Sequence, residues 1–270
     1  MKITKGKCKN ALVKSRIEGV DYALNPYTGC QHGCVYCYAE FMKKYTNHKE
    51  EWGEFVDVKI NIIDRLREQI RKTKPGVVMV STVTDAYQPL EEKYQLTRKC
   101  LEILTNFDFS VSIQTKSDLI LRDLDVLKKI KDKEVGFTIT CPDSNVQKMF
   151  EPCASTLERR FEALIKLKEN GIPTFVFFGP ILPFFSDNMN SIRLLFERLQ
   201  KMKIKKVYLD KMNYIKGKRK KISTLLEGRS PQALRFYEGV IDHEKRYSEW
   251  LKSNLASALS EFSFEAEVLF

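Results

Sequence analysis

The chain has 270 residues, of which 43% are hydrophobic and 30% charged, with a formal net charge of +11 at pH 7. This length suffices for one large α/β domain or two small ones, and the composition is that of a globular protein. No apolar run approaches the length of a bilayer span, so we expect no membrane association and a cytoplasmic location. Seven cysteines and a Lys-rich N-terminus without a secretory signal argue against a disulfide framework.

The positive charge is concentrated in residues 201–221, which contain ten Lys or Arg and one acid, Asp210. A run of this kind is most often a solvated surface. It also suits the binding of an anionic partner, with nucleic acid the first choice. Aromatic residues within the run are sparse, so no base-stacking platform is evident.

Short apolar runs alternate with helical patterns along most of the chain. Strands are predicted at 22–24, 77–83, 109–116, 134–141, 173–179 and 206–212. Helices are predicted at 94–106, 124–130, 156–170 and 191–202, with a mainly helical region at 231–262. Six such units predict an α/β fold with a parallel sheet, a partial (β/α)6 barrel of the TIM type. We expect a single domain over 1–270, with a core at about 20–212 and a C-terminal helical extension at about 213–270.

Three cysteines lie within eight residues, in the pattern Cys30-x3-Cys34-x2-Cys37. Three thiolates can hold three irons of a [4Fe–4S] cluster and leave the fourth iron to a ligand that is not protein. Gly29 and Gly33 suit a loop that wraps tightly around such a cluster. Structural zinc completed by His32 or Cys8 is the main alternative, although no second paired motif follows.

Polar residues follow successive predicted strands, at the edge where barrels of parallel strands carry their functional groups. Such residues are Ser81, Lys116, Thr140, Cys141 and Asp210. The cysteine loop follows the first predicted strand and is expected at the same edge. This scaffold favours a cluster that serves catalysis over a small zinc ribbon.

The chain resembles the radical S-adenosylmethionine (SAM) group related to spore photoproduct lyase, over roughly residues 8–185. The resemblance rests first on the cysteine segment, Asn25 to Tyr38. It also rests on Val83 to Pro89, Thr115 to Ser117, Leu121 to Asp123, Glu158 to Arg160 and, more loosely, Gly171 to Pro173 leading into Gly179-Pro180. The resemblance implies a radical SAM enzyme with a [4Fe–4S] cluster and SAM as cofactors.

The resemblance also implies roles for individual residues. Cys30, Cys34 and Cys37 would hold the cluster, and Tyr36 and Tyr38 resemble an aromatic pair that lies against SAM. The remaining implied SAM contacts are Ser81, Lys116, Thr140 and Gly179, the last bordering the adenine.

In the lyases a cysteine returns a hydrogen atom to the product, and Met79 stands at that position here. Cys141 is the candidate substitute, either as a hydrogen donor or as a core cysteine. If Thr140 faces SAM, strand alternation predicts that Cys141 points to the opposite face.

The sequence therefore predicts reductive SAM cleavage and hydrogen abstraction from a substrate. That substrate is a nucleic acid contacted by residues 201–221, or a peptide or small metabolite. A non-catalytic, zinc-bearing nucleic-acid-binding protein is the alternative from another class. A radical SAM enzyme also implies a one-electron reductant of the flavodoxin or ferredoxin type.

Overall fold

A computed structural model describes residues 1–270 and contains eleven strands and ten α-helices. The strands are β1 (Lys2–Gly6), β2 (Leu12–Lys14), β3 (Tyr22–Leu24), β4 (Tyr27–Gly29), β5 (Phe55–Lys59), β6 (Val77–Val80), β7 (Ser110–Thr115), β8 (Asp132–Ile139), β9 (Thr174–Ile181), β10 (Lys206–Lys211) and β11 (Glu265–Val268). The α-helices are α1 (Ile62–Ile70), α2 (Glu91–Tyr94), α3 (Leu96–Leu104), α4 (Leu124–Leu127), α5 (Ser144–Phe150), α6 (Leu157–Glu169), α7 (Met189–Lys201), α8 (Ile215–Leu226), α9 (Pro231–Asp242) and α10 (Glu244–Leu259). Two 3-10 helices cover Tyr38–Tyr45 and Asp118–Asp123.

The residues group into two compact units, which we describe separately. The first unit consists of Met1–Gly33, Ala39–Phe137 and Cys153–Thr174. The second consists of Cys34–Tyr38, Thr138–Pro152 and Phe175–Phe270. The predicted single-domain arrangement stays a prediction.

The first unit contains two sets of paired strands. In the order β2-β3-β6-β7-β8, all neighbours are parallel except β2 and β3, which are antiparallel. In the order β1-β5-β4, β1 is parallel to β5 and β4 is antiparallel to it. β4 separates the first predicted strand from the cysteine loop, a difference from the expected order. The separation has a local cause, because Pro26 lacks the backbone N–H needed to continue the ladder beyond β3.

Buried apolar side chains at regular spacing explain the helices and strands of this unit. On α3, Leu96, Cys100, Leu101 and Leu104 are buried at helical spacing. The hydroxyl of Thr156 accepts the Arg159 N–H at the start of α6, as the sequence predicted.

An ion-pair network ties together segments that carry the family resemblance. Arg122 contacts Glu91 at 3.0 Å and Asp123 at 2.7 Å, and both carboxylates are fully buried. The Tyr87 hydroxyl also donates to Asp123, at 3.1 Å. These residues therefore brace the scaffold, because an unpaired buried carboxylate would be strongly unfavourable.

The second unit contains the parallel strands β9-β10-β11 and the helices α5 and α7 to α10. Phe196 of α7 packs edge-to-face on Phe178 of β9, with ring centroids 6.3 Å apart. The helical region predicted at 231–262 is present as α9 and α10. Helices α5 and α8 and strand β11 were not predicted.

No helix in the structure is both long and apolar enough to traverse a lipid bilayer.

Candidate functional site

The cysteine loop begins in the first unit, directly after β4. Cys30 is buried, and its carbonyl accepts the Gly33 N–H at 3.4 Å. Gly29 and Gly33 both have positive φ, +85° and +60°. A Cβ atom on Gly29 would collide with the backbone carbonyl of Phe55. Glycine is therefore required at Gly29 by both backbone angle and close approach, and the predicted tight loop is confirmed.

The loop continues in the second unit with the other two cysteines. The Cys37 N–H donates to the Cys34 carbonyl at 3.2 Å, which closes a turn between the two. The Val35 N–H donates to the carbonyl of Phe150, the last residue of α5, at 3.0 Å. Cys34 is buried and Cys37 is half-buried. Backbone hydrogen bonds therefore fix this part of the loop.

The donor set fits the cluster that the resemblance implies. No group of three or more His, Cys, Asp or Glu side chains converges on a position for one metal ion. Cluster thiolates bind different irons, so they need not converge on one point. Cys30, Cys34 and Cys37 supply one ligand fewer than the four irons require. This set suits a cluster whose last iron binds a ligand that is not protein.

Glu151, which the sequence did not single out, organises the polar side chains of the second unit. It is 1% exposed and accepts hydrogen bonds from the hydroxyls of Tyr36 and Thr140, the latter at 3.1 Å. The Gln147 side-chain amide donates to its other carboxylate oxygen at 3.1 Å. The Thr140 hydroxyl therefore already has a protein acceptor, and its role as a SAM contact stays a prediction. No sequence pattern marked Glu151, because its link to the cysteine segment runs through Tyr36, which is 115 residues away in the chain.

Cys141 is completely buried in the second unit. Its thiol lies 3.8 Å from the Phe185 carbonyl and accepts the Asp143 N–H at 3.4 Å. Burial raises the pKa of the Cys141 thiol to about 12. These contacts are typical of a core cysteine, and the hydrogen-donor role stays a prediction.

Ser81 directly follows β6 and has a strained backbone conformation. Its φ is +73°, a region that residues other than glycine rarely adopt. Its hydroxyl is buried and has no hydrogen-bond partner. Strain and an unsatisfied buried hydroxyl together are typical of a ligand-binding position. The residue fits the predicted SAM contact, because SAM offers polar groups that could satisfy this hydroxyl.

Lys116 follows β7 and is positioned by Asp85. The Lys116 N–H donates to Asp85 at 2.9 Å, and the Thr115 hydroxyl donates to the same carboxylate at 2.7 Å. The His32 ring lies 3.4 Å from Asp85. Burial alone would raise the pKa of Asp85, but His32, Lys116 and Thr115 together hold it below its usual value. Asp85 therefore stays ionised and fixes the backbone at this strand end.

The remaining predicted SAM contacts lie in the second unit. Tyr38 is 46% exposed and begins a 3-10 helix. Gly179 lies near the end of β9, where the register against β10 shifts: Phe178 pairs with Leu209, but Ile181 pairs with Lys211. Gly179 and Pro180 together therefore face one residue of β10, Asp210. This is a β-bulge, a feature common next to functional sites.

The structure divides the basic run into residues with different environments. Lys218 is buried, and Arg219 is paired with Glu238. Lys216 and Lys220 are exposed and lie on the same side of α8, one helical turn apart. The sequence treated all of these side chains as one surface. Burial of Lys218 makes only part of the run a candidate for an anionic partner.

Comparisons with known proteins identify the relatives of this chain. The family model for the radical SAM superfamily matches residues 24–195. An uncharacterised protein of Methanocaldococcus jannaschii is 43% identical over 185 residues, which cover 68% of this chain and 69% of that protein.

Solved structures show the same fold. Spore photoproduct lyase complexed with dinucleoside spore photoproduct superposes with a TM-score of 0.73 at 16% identity, covering 99% of this chain and 82% of the lyase. Streptococcus suis SuiB bound to precursor peptide SuiA gives a TM-score of 0.58 at 13% identity, covering 91% of this chain and 48% of SuiB. The predicted fold class, a partial TIM-type barrel with parallel strands, is confirmed.

Proposed function

Because the chain belongs to the radical SAM superfamily and is therefore an enzyme that acts through SAM, we propose that Cys30, Cys34 and Cys37 hold a [4Fe–4S] cluster. Such a cluster, when bound, supplies the electron that cleaves SAM to methionine and a 5′-deoxyadenosyl radical. The protein contributes binding, orientation and exclusion of water, so that the radical meets one C–H bond of the substrate.

One observation carries this proposal: the three cysteines lie in a loop whose turns depend on Gly29 and Gly33, inside the region matched by the family model. Two strand ends of the first unit supply polar groups suited to SAM. Ser81 has a buried hydroxyl without a partner, and Lys116 carries a cation on a backbone segment that Asp85 holds through the Lys116 N–H. The Lys116 cation suits the carboxylate of SAM, and the Ser81 hydroxyl suits its ribose.

We propose a nucleic acid as the substrate. The lyase with the same fold is complexed with a dinucleoside photoproduct, and α8 presents Lys216 and Lys220 to an anionic partner. A peptide substrate is the second candidate, because SuiB shares the fold and is bound to a precursor peptide. The basic surface favours the nucleic acid, since phosphates are the ligands that exposed lysines attract most strongly.

The electron donor in this proposal is a flavodoxin-type or ferredoxin-type carrier. A reducing cytoplasm suits both that carrier and the cysteine thiols.

Anaerobic reconstitution with iron and sulfide tests the proposal. The protein should turn brown, absorb near 400 nm, bleach with dithionite and release 5′-deoxyadenosine from SAM. A colourless protein that retains zinc and leaves SAM intact would instead support the structural-zinc alternative.

A further inference from the structure

Asp210 is a carboxylate with an unsatisfied oxygen at the C-terminal end of β10. Its Oδ1 atom is buried without a hydrogen-bond partner, whereas Oδ2 accepts the side-chain N–H of Asn213 at 2.9 Å. Asn213 is exposed, so the carboxyl group lies directly beneath a surface amide. Burial raises the pKa of Asp210 to about 6. A buried oxygen without a hydrogen-bond partner, such as Oδ1 of Asp210, is stabilised by any ligand that donates an N–H to it.

Strand geometry directs Asp210 away from the helix-covered side of these strands. Phe178 of β9 packs on Phe196 of α7, and its neighbour across the ladder is Leu209. Alternation along β10 sends Tyr208 and Asp210 to the other face. Opposite Asp210 is the bulge at Gly179 and Pro180, where no side chain larger than proline fills the ladder. The carboxyl group therefore lies on the face that α7 leaves uncovered.

Tyr214 lies three residues beyond the end of β10 and is largely exposed. Its side chain is 69% exposed, although large aromatic side chains are usually more than half buried. Its backbone is left-handed, with φ of +57°. Such strain in a residue other than glycine is typical of functional positions. The sequence alone did not mark Tyr214 as a stacking residue, because nothing in the basic run predicted its exposure.

We propose that Asp210 and Tyr214 recognise an unpaired nucleobase of the substrate. The Tyr214 ring stacks on the base, and Asp210 accepts an N–H from the edge of the base. This inference rests on the proposed nucleic-acid substrate and specifies it as a single-stranded or unstacked nucleotide.

The neighbouring charges agree with this assignment. Lys216 and Lys220 follow Tyr214 on α8 and are exposed, so they can contact the phosphates that flank the base. Bases in a duplex offer neither a free face for stacking nor a free pairing edge. Asn213 is a surface side chain, and exposed side chains change rotamer readily, so it can turn aside as the base enters.

The first test measures binding of a fluorescein-labelled DNA of about 12 nucleotides, single-stranded or as a duplex, to the reconstituted enzyme by fluorescence anisotropy. Wild-type protein should prefer the single strand. Tyr214→Ala should weaken single-strand binding by about 5-fold or more, and Tyr214→Phe should retain it, because stacking needs only the ring. The matched control is Tyr45→Ala, since Tyr45 is also 69% exposed but lies in the first unit. Equal binding by wild type and Tyr214→Ala would overturn the proposal.

The second test asks whether Asp210→Asn strengthens or weakens binding of the single-stranded DNA. Asp210→Asn removes a negative charge near a polyanion, so it should strengthen binding if the carboxylate does not contact a base. If Asp210 accepts an N–H from the base, the same substitution should weaken single-strand binding by about 10-fold, because an uncharged amide oxygen is a weaker acceptor than a carboxylate oxygen. The substitution conserves side-chain shape, so the protein should remain folded, as its melting temperature will show. Tighter binding by Asp210→Asn would overturn the proposal.

These tests are separate from the test of SAM cleavage, because binding is measured without SAM or reductant. A wild-type enzyme that releases 5′-deoxyadenosine but binds single strands and duplexes equally would overturn the base-recognition proposal alone. A protein that prefers single strands through Tyr214 and Asp210 but never cleaves SAM would overturn the proposed function and leave the recognition surface in place.

Discussion

Tyr36 and Thr140 donate their hydroxyl hydrogen bonds to the same atom, Oε1 of Glu151. Tyr36 lies between Cys34 and Cys37, and Thr140 follows β8 directly. Glu151 thus ties the cysteine loop of the second unit to a strand end. Because the carboxylate is buried, its hydrogen bonds lie in a medium of low dielectric constant and are stronger than those at the surface.

We predict that Glu151→Gln lowers the free energy of unfolding by about 1–3 kcal/mol, because an amide NH2 group would replace the carboxyl oxygen that accepts the hydrogen bond from the Gln147 side chain. The melting temperature should fall by at least about 2 °C. Glu162→Gln is the control, since Glu162 is exposed on α6. Equal melting temperatures for both variants would show that Glu151 does not stabilise this region.

Ser81→Ala should weaken SAM binding without lowering stability. The substitution removes a buried hydroxyl that has no partner in the protein, so the free energy of unfolding should stay constant or rise. The loss of one hydrogen bond to SAM predicts about 5- to 10-fold weaker binding.

Lys116→Ala should weaken SAM binding by at least as much as Ser81→Ala. The substitution removes the ammonium group that is expected to contact the carboxylate of SAM. Equilibrium binding of SAM to both reconstituted variants checks this pair of expectations, with iron content as the control. Wild-type affinity in both variants would assign these residues an ordinary structural role.

Cys141→Ala should retain SAM cleavage and most product formation. The pKa of about 12 leaves almost no thiolate at pH 8, so Cys141 should also resist alkylation by iodoacetamide in the folded protein. The exposed Cys153 provides the internal control, because it should react quickly. Mass spectrometry of the alkylated protein distinguishes the two sites.

A different result for Cys141→Ala would identify Cys141 as the hydrogen donor. Normal release of 5′-deoxyadenosine with loss of the product, or its diversion to an adduct, would make Cys141 the thiol that returns hydrogen.

Sequence patterns predicted the parts of the fold that depend on local periodicity. The strand at 77–83 and the helix at 94–106 could be recognised because their apolar residues follow simple spacings, and both are present as β6 and α3. Strands β1 and β5 could not be predicted, because β1 has an exposed, mixed composition and depends on pairing with a distant segment.

The same distinction applies to the candidate site. Cys30, Cys34 and Cys37 are close in sequence, so their spacing alone led to the predicted cluster, which stays a prediction. Glu151 reaches Tyr36 and Asp85 reaches Lys116 across long stretches of chain, and no local pattern indicates such partners. The burial of Lys218 could not be predicted either, because it depends on how α8 packs against the rest of its unit.

Reversing the exposed charges of α8 should weaken nucleic-acid binding. Lys216→Glu combined with Lys220→Glu should lower the affinity and reduce the slope of log affinity against log salt by roughly 0.7–0.9 for each phosphate that the protein no longer binds. Lys128→Glu combined with Lys129→Glu is the matched control, an equal change of charge at exposed residues of the first unit. Equal affinities and salt slopes for both double variants would leave α8 as a solvated surface.

The proposed cluster is tested most directly by comparing Cys34→Ala with Cys153→Ala after anaerobic reconstitution. Iron content, absorbance near 400 nm and release of 5′-deoxyadenosine are measured together. Cys34→Ala should lose the cluster and SAM cleavage, because no other cysteine occupies a matching position in the loop, whereas the exposed Cys153 is outside the motif and its replacement should leave both at the wild-type level. Wild-type SAM cleavage by the Cys34→Ala protein would contradict the assignment.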